Sequence, residues 1–133
     1  MAVKEVVIDS SAAIALAKSE AGAAAVVPYY LAGAIMSAIN LAEFVQVLRR
    51  FDSNPEPYLE IFRDAGMRIV AADAQLAILA GELERTTRHI GLSLGDRFCL
   101  ALAISTRRAV VTTDRVWKTI DLGIEVILAR DAG

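Results

Sequence analysis

The sequence predicts an α/β fold in which a central parallel sheet of about five short strands is covered by helices on both faces. Short apolar, β-branched runs alternate with helical patterns along the chain, which is typical of parallel strands buried on both faces. Alanine occupies 24 of the 133 positions, and this favours closely packed helices. We therefore expect one three-layer domain that covers residues 1–133, a common domain size.

The first half of the chain contains signals for three strands. The run at 3–8 is β-branched and ends at Asp9, where a helix-start signal follows. Phe44 and Leu48 belong to an apolar stripe with helical spacing, and Gly66 ends a further helix. In order, the predicted elements are strand 3–8, helices 11–18 and 22–31, strand 34–36, helix 39–51, a helix opened by Ser53-Asn54-Pro55 and strand 67–71.

The second half contains two more strands. Asp73 is predicted to cap a long helix that continues to about Arg88 and ends at Gly91. The helix at 94–105 is apolar over most of its circumference, which predicts a central position. The remaining predicted elements are strand 109–112, a short helix opened by Asp114 that contains Trp117, and strand 125–128.

Composition excludes several classes of protein. Hydrophobic residues make up 56% of the chain and charged residues 23%, which is incompatible with a disordered chain. One Cys and one His exclude an internal disulfide framework and a cysteine-ligated zinc site. The net charge of −2 excludes a polybasic nucleic-acid coat.

The stretch 21–42 has no charged residue over 22 positions, so it must be considered as a possible membrane span. It contains Pro28, Gly33 and Asn40, so it indicates a helix, a break and a strand in a globular core. Glu5 and Asp9 interrupt the first apolar run, which argues against a signal peptide. We expect a cytoplasmic protein without a membrane partner.

Four acidic residues lie where the predicted strands end or the central helix begins. Asp9 follows the first strand, Glu43 comes six residues after Ser37 at the end of the second, and Asp114 follows the fourth. Asp96 lies at the start of the central helix. Ligands of parallel sheets bind outside the carboxyl ends of the strands, so this topology gathers the four acids at one edge.

Gathered carboxylates repel one another, so either their pKa values rise or a cation joins them. Oxygen ligands suit hard ions such as Mg2+ or Mn2+. One or two such ions held by acids can activate water and neutralise charge on a scissile phosphate, which is the equipment for phosphodiester cleavage.

Each acid also has a structural interpretation. Asp9, Asp96 and Asp114 all lie at predicted helix starts, where capping and the helix dipole favour a carboxylate. Asn40 and Glu43 have the spacing of a capping box with Asn40 as the cap. Taken singly, each acid is better explained by structure, and only their shared location favours a site.

Four segments together resemble the PIN-domain ribonucleases, and among these the VapC toxins of bacterial and archaeal toxin–antitoxin pairs. They are VIDSS at 7–11, SAINLAE at 37–43, LGDRFCLALA at 94–103 and VTTDRVW at 111–117. The resemblance extends over residues 3–128 and depends on all four segments occurring in order.

The resemblance implies a PIN-like three-layer sandwich and a metal-dependent endoribonuclease that uses Mg2+ or Mn2+. Its metal-binding acids correspond to Asp9, Glu43, Asp96 and Asp114. The positions that correspond to supporting polar residues are Ser11, Asn40 and Thr112 or Thr113. It also implies a homodimer, a VapB-type antitoxin partner and an RNA substrate, with structured RNAs such as tRNA common in the family.

Other polar and reactive residues carry weaker expectations. Arg97 and Arg115 each directly follow a site acid, so they are the candidates for contacts with RNA phosphates, although salt bridges to the acids explain them equally well. We expect His89 at the surface and Cys99 and Trp117 in the core.

Other functions remain open. The same residues fit a solitary PIN nuclease of RNA maturation or decay, or a non-catalytic interaction domain whose acids only cap helices. A dehalogenase-like phosphatase needs a second Asp two residues after the first, and Ser11 occupies that place. No glycine-rich phosphate loop supports a nucleotide enzyme.

Overall fold

The computed structural model describes residues 5–130 of the chain. Its strands are β1 (Val6–Ile8), β2 (Ile35–Ser37), β3 (Arg68–Val70), β4 (Ala109–Thr112) and β5 (Val126–Leu128). They form one sheet in the order β3-β2-β1-β4-β5, and every pairing is parallel. The predicted five-stranded parallel sheet is confirmed. Residues 3 and 4 of the first predicted strand lie outside the described residues.

Seven α-helices and two short 3₁₀ helices connect the described strands. The α-helices are α1 (Ser10–Ala17), α2 (Ala23–Tyr30), α3 (Ala38–Arg50), α4 (Glu56–Ala65), α5 (Ala74–Glu82), α6 (Glu84–Thr87) and α7 (Leu94–Thr106). The 3₁₀ helices are Arg88–Ile90 and Arg115–Thr119.

Successive side chains of β1 point to opposite faces of the sheet and divide the core in two. Val6 and Ile8 pack with buried residues of α1 to α4. Val7 packs on the other face with α5, α7 and Trp117. The result is the predicted three-layer arrangement, with helices on both faces of the sheet.

The order of the strands reverses at the centre of the sheet. The chain proceeds from β1 outward to β2 and β3, and then returns to place β4 on the other side of β1. The backbone N–H of Asp9 donates to the carbonyl of Val111 at 2.9 Å, which extends the β1–β4 pairing past the end of β1. Sheets of this type bind ligands at such a switch point.

The helix predicted from Asp73 to Arg88 is not continuous. It breaks at Leu83 into α5, α6 and the first 3₁₀ helix. The Leu83 carbonyl accepts the hydroxyl protons of Thr86 at 3.2 Å and Thr87 at 2.7 Å. Such side-chain bonds compete with the regular helical ladder. The predicted end at Gly91 is confirmed, since Gly91 is left-handed with φ of 66°.

The other predicted elements are confirmed with boundaries shifted by a few residues. The uncharged stretch 21–42 contains α2, a turn at Gly33 and β2. No helix within residues 5–130 is long and apolar enough to cross a bilayer. Cys99 and Trp117 are fully buried, as predicted.

The side chain of Phe44 lies in the core between α3 and α4, so a substitution there tests this packing. Its fully buried ring lies 5.4 Å from the Phe62 ring and 6.4 Å from the Tyr58 ring, centroid to centroid. We expect Phe44→Ala to lower the free energy of unfolding by about 3–5 kcal/mol, because it leaves a cavity. Urea denaturation measures this change.

The matched control is Phe51→Ala, in the turn after the same helix. The Phe51 side chain is 64% exposed, and its clearest contact is Lys18 Nζ, 4.1 Å from the ring centroid. We expect a loss of at most about 1 kcal/mol. Equal losses for the two variants would contradict this description of the core.

Candidate active site

Asp9 is the buried centre of the candidate site. It lies directly after β1, and its residue is only 2% exposed. It occupies the position before α1, but its side chain makes no capping hydrogen bond. The capping interpretation of Asp9 is therefore wrong, and helix capping does not explain a carboxylate at this buried position.

Two hydroxyl groups donate to the same oxygen of Asp9. Ser11 Oγ lies 2.6 Å and Thr112 Oγ1 2.9 Å from Asp9 Oδ2. Each hydroxyl in turn accepts a backbone N–H from the loop after β4, Thr113 N–H onto Ser11 and Asp114 N–H onto Thr112. Each hydroxyl thus accepts an N–H from this loop and donates its own proton to the Asp9 carboxylate.

The other Asp9 oxygen, Oδ1, is buried and has no hydrogen-bond partner among the described residues. A buried carboxylate oxygen without a partner is costly. Asp96 and Glu43, the acids that act on Asp9, offer further carboxylate oxygens, and oxygen ligands suit a hard divalent cation. The orphaned oxygen and the surrounding acids fit a bound Mg2+ or Mn2+.

Glu43 is fixed by a network at the start of α3. Its Oε1 accepts from Ser10 Oγ at 3.0 Å and from Asn40 Nδ2 at 2.8 Å. Asn40 Nδ2 also donates to the carbonyl of Gly95 at 3.0 Å, and Asn40 Oδ1 accepts from Ser37 Oγ at 2.7 Å. This network joins the first turns of α1, α3 and α7 around the Glu43 carboxylate.

The predicted capping box of Asn40 and Glu43 is wrong. The cap of α3 is Ser37, whose Oγ accepts from the Asn40 N–H. The helix begins three residues earlier than a cap at Asn40 requires, because Ser37 at the end of β2 already has extended backbone and a hydroxyl acceptor. Asn40 is instead fully buried, beside Glu43.

Asp96 and Asp114 both cap helices. Asp96 Oδ2 accepts the Ser93 N–H at 3.0 Å, while the Asp96 N–H donates to Ser93 Oγ, which makes a capping box at α7. Asp114 Oδ1 accepts the Val116 N–H at 3.0 Å. The structural interpretation of these two acids is confirmed, and it does not prevent their remaining oxygens from binding a cation.

The four acids are close enough to influence one another. Burial, opposed by the hydrogen bonds from Ser11 and Thr112 and reinforced by the charges of Asp96 and Glu43, raises the pKa of Asp9 to about 6. Burial and the charges of Glu43 and Asp114, opposed by bonds from Ser93, also raise the pKa of Asp96. Acids from four separate segments therefore act on one another at this edge.

The side chains do not yet form a coordination shell. No group of three or more Asp, Glu, His and Cys side chains within residues 5–130 is arranged to hold a metal ion. Local hydrogen bonds hold the carboxylates of Glu43, Asp96 and Asp114 each at its own helix start. Exposure increases outward, from buried Asp9 through half-buried Glu43 and Asp96 to exposed Asp114.

The remaining predicted residues have different surroundings. Thr113 is half-buried, and its backbone rather than its side chain bonds Ser11.

Arg97 is half-buried, and its Nη1 donates to the Ala80 carbonyl of α5 at 3.1 Å. Arg115 is exposed beside Asp114, and His89 is exposed on the first 3₁₀ helix. Of the two arginines, Arg115 is the one free to reach a phosphate from this edge.

Sequence reasoning missed Ser10 and Gly95. Ser10 is the neighbour of the predicted Ser11, but consecutive residues on a helix point in different directions, so Ser10 reaches Glu43 and Ser11 reaches Asp9. Gly95 is a helical glycine in an alanine-rich chain directly before a site acid, and that pattern was the available signal.

Comparisons with known proteins agree with this architecture. The family described as the PIN domain matches residues 6–122. A search of curated proteins finds no match.

Among solved structures, similarity extends over nearly the whole chain. VapC20 of Mycobacterium tuberculosis, described as a sarcin-ricin loop cleaving toxin, has a TM-score of 0.74 and 16% identity, with 90% of this chain and 98% of that chain covered. A toxin–antitoxin complex from Klebsiella pneumoniae has a TM-score of 0.71 and 17% identity, with 90% and 94% covered. VapBC2 of Rickettsia felis, bound to a promoter DNA fragment, has a TM-score of 0.69 and 19% identity, with 92% and 96% covered. At these identities the similarity establishes the fold.

The raised pKa of Asp9 predicts a pH-dependent stability in the presence of a chelator. The folded protein binds the Asp9 proton more tightly than the unfolded chain does, because the pKa is about 6 instead of 3.8. The stabilisation is fully present below pH 3.8 and is lost as the pH rises through about 6. This difference corresponds to about 3 kcal/mol.

We expect urea denaturation in EDTA between pH 3.5 and 7.5 to show this loss in the wild type. Asp9→Asn removes the titrating group, so its free energy of unfolding should fall less over the same range. Parallel curves for the two proteins would show that Asp9 titrates normally.

Proposed function

The chain belongs to the PIN domain family, and we propose that it is an endoribonuclease dependent on Mg2+ or Mn2+. The observation that carries this proposal is the buried Asp9 carboxylate, whose Oδ1 has no partner among the described residues. A purely structural acid at this depth would use both oxygens or be replaced by a neutral side chain. Asp96 and Glu43 lie close enough to act on its pKa, and Asp114 acts on that of Asp96.

The proposed cation ligands are Asp9, Asp96 and Asp114, with Glu43 completing the shell or holding a second ion. A bound divalent cation would activate water and neutralise charge on the scissile phosphate. The donors to Asp9 are both on Oδ2, so Oδ1 is the oxygen left for a cation. Asp96 and Asp114 each use one oxygen in the caps that we observe.

The exposure gradient indicates the side from which RNA approaches. Asp9 is buried and Asp114 is exposed, so we infer that RNA approaches from the side of Asp114, which we call the rim of the site. Four carboxylates repel a phosphate backbone, so we infer that the cation is needed for RNA binding as well as for cleavage. Arg115 is our candidate for a phosphate contact at the rim. Arg97 is a weaker candidate, because its guanidinium is bonded to α5.

We further propose that the protein is the toxin of a VapBC-type pair. The support is the fold shared with the toxin–antitoxin complexes from Klebsiella pneumoniae and Rickettsia felis and with VapC20. The proposed partners are a VapB-type antitoxin, a structured RNA substrate and a second copy of the chain. Exposed apolar side chains, among them Tyr29, Phe51 and Ile61, are available for such contacts. A PIN nuclease without an antitoxin is the second candidate.

The nuclease proposal predicts that Asp9→Asn and Asp96→Asn each lower RNA cleavage at least about 100-fold, or about 2.7 kcal/mol. The physical reason is that each change removes an anionic ligand while an amide keeps a similar shape. The assay uses purified protein and total cellular RNA with Mn2+, Mg2+ or EDTA, and gel electrophoresis measures the products.

Asp73→Asn is the matched control. Asp73 caps α5 through the Leu76 N–H at 2.9 Å, as Asp114 caps its own short helix, but it lies outside the acid cluster. It should keep wild-type cleavage. Cleavage that persists in EDTA, or full activity of Asp96→Asn, would exclude the proposed metal chemistry. Calorimetric titration of wild type and Asp9→Asn with Mn2+ tests cation binding without any need for the correct RNA.

The toxin proposal predicts that expression of the wild-type chain arrests bacterial growth and that Asp96→Asn does not. Co-expression of a small protein encoded immediately upstream should restore growth, because an antitoxin covers the active site. Growth curves with induced expression measure both effects. Metal-dependent cleavage in vitro without growth arrest would favour the solitary nuclease.

A further inference from the structure

Two glycines lie inside the described helices, Gly95 of α7 and Gly81 of α5. Neither has a left-handed backbone. Alanine stabilises a helix interior more than glycine does, and the chain is rich in alanine. Backbone conformation therefore does not explain Gly95. The space around the two glycines distinguishes them.

A side chain at Gly95 would occupy the place of the Glu43 carboxylate. A Cβ built on Gly95 lies 2.5 Å from Glu43 Cδ and 2.7 Å from Oε1, closer than non-bonded carbon atoms approach. A Cβ at Gly81 meets nothing within 4 Å. The Glu43 carboxylate thus packs directly on the bare backbone of α7.

Gly95 also takes part, through its backbone carbonyl, in the hydrogen-bond network around Glu43. The amide of Asn40 donates to the Gly95 carbonyl at 3.0 Å and to Glu43 Oε1 at 2.8 Å. Ser10 Oγ holds Oε1 at 3.0 Å. Because Ser10 and Asn40 hold the carboxylate while Gly95 lies against it, a side chain at position 95 could displace the carboxylate only by disturbing these hydrogen bonds.

We propose that Gly95 is a positioning residue, whose missing side chain places the Glu43 carboxylate against the turn of α7 that carries Asp96. This inference rests on the proposed nuclease function and adds a residue to it. Gly95 binds neither the cation nor RNA, and it acts only through the position of Glu43. Any larger residue at position 95 displaces the carboxylate from Ser10 and Asn40 and changes its distance from Asp96.

The first test compares Gly95→Ala with Gly81→Ala in the RNA cleavage assay. We expect Gly95→Ala to lower kcat at least about 10-fold, because Glu43 is displaced. The KM for RNA should change less, because Asp9, Asp96 and Asp114 still hold the main cation. Gly81→Ala should retain wild-type cleavage. Equal cleavage by Gly95→Ala and the wild type would overturn the proposal.

The second test is a double-mutant cycle in urea denaturation, with Gly95→Ala, Glu43→Ala and the double variant. Gly95→Ala should lower the midpoint when Glu43 is present. In the Glu43→Ala background the new methyl group has room, so the midpoint should stay the same or rise. This background also recovers a folded protein if Gly95→Ala alone fails to fold. An equal drop in both backgrounds would overturn the proposal.

The two tests separate this inference from the nuclease proposal. If the wild type neither cleaves RNA nor binds Mn2+, the proposed function fails. The denaturation cycle needs no activity, so it still decides whether Gly95 positions Glu43. If the wild type cleaves RNA and the cycle shows no coupling, the nuclease stands and the role of Gly95 is refuted.

Discussion

The hydrogen bonds onto Asp9 connect the central sheet to the candidate site. Thr112 at the end of β4 and Ser11 in α1 donate to the same carboxylate oxygen, and Asp9 itself continues the β1–β4 pairing. Burying a carboxylate is unfavourable, and these two bonds offset only part of the cost, so the pKa of Asp9 stays raised. A divalent cation bound at Oδ1 would offset the remaining cost of burying this carboxylate.

The acids around Asp9 combine structural and proposed catalytic roles to different degrees. Asp96 and Asp114 stabilise helix starts through one oxygen each, so the fold itself gives them a reason to be there. Glu43 caps no helix and is bonded by Ser10 and Asn40. Asp9 and Glu43 are therefore the acids that capping hydrogen bonds do not explain, and they carry most of the argument for a site.

Much of the fold and of the candidate site was predictable from the sequence, because the relevant signals are local. The strand at 109–112 was predicted with the bounds that β4 has, since a short β-branched run is buried on both sides. The helix predicted after Asp73 is too long. Its break involves two threonine hydroxyls that bond the Leu83 carbonyl, and the pattern of apolar residues does not show such bonds. Asn40 was mistaken for a cap because Ser37, three residues earlier, offers an equivalent acceptor.

By itself, the sequence determined the alternation of strands and helices, and it determined that acids follow the ends of the strands. Only the tertiary structure decided how those acids differ: Asp9 is buried with one orphaned oxygen, whereas Asp96 and Asp114 cap helices. Only the tertiary structure, too, placed the Glu43 carboxylate against Gly95 and bonded Asn40 to the Gly95 carbonyl. The physical reason is separation along the chain. The bonds that make these distinctions join residues 33, 55 and 103 positions apart, and no local pattern records which side chains the folded sheet brings together.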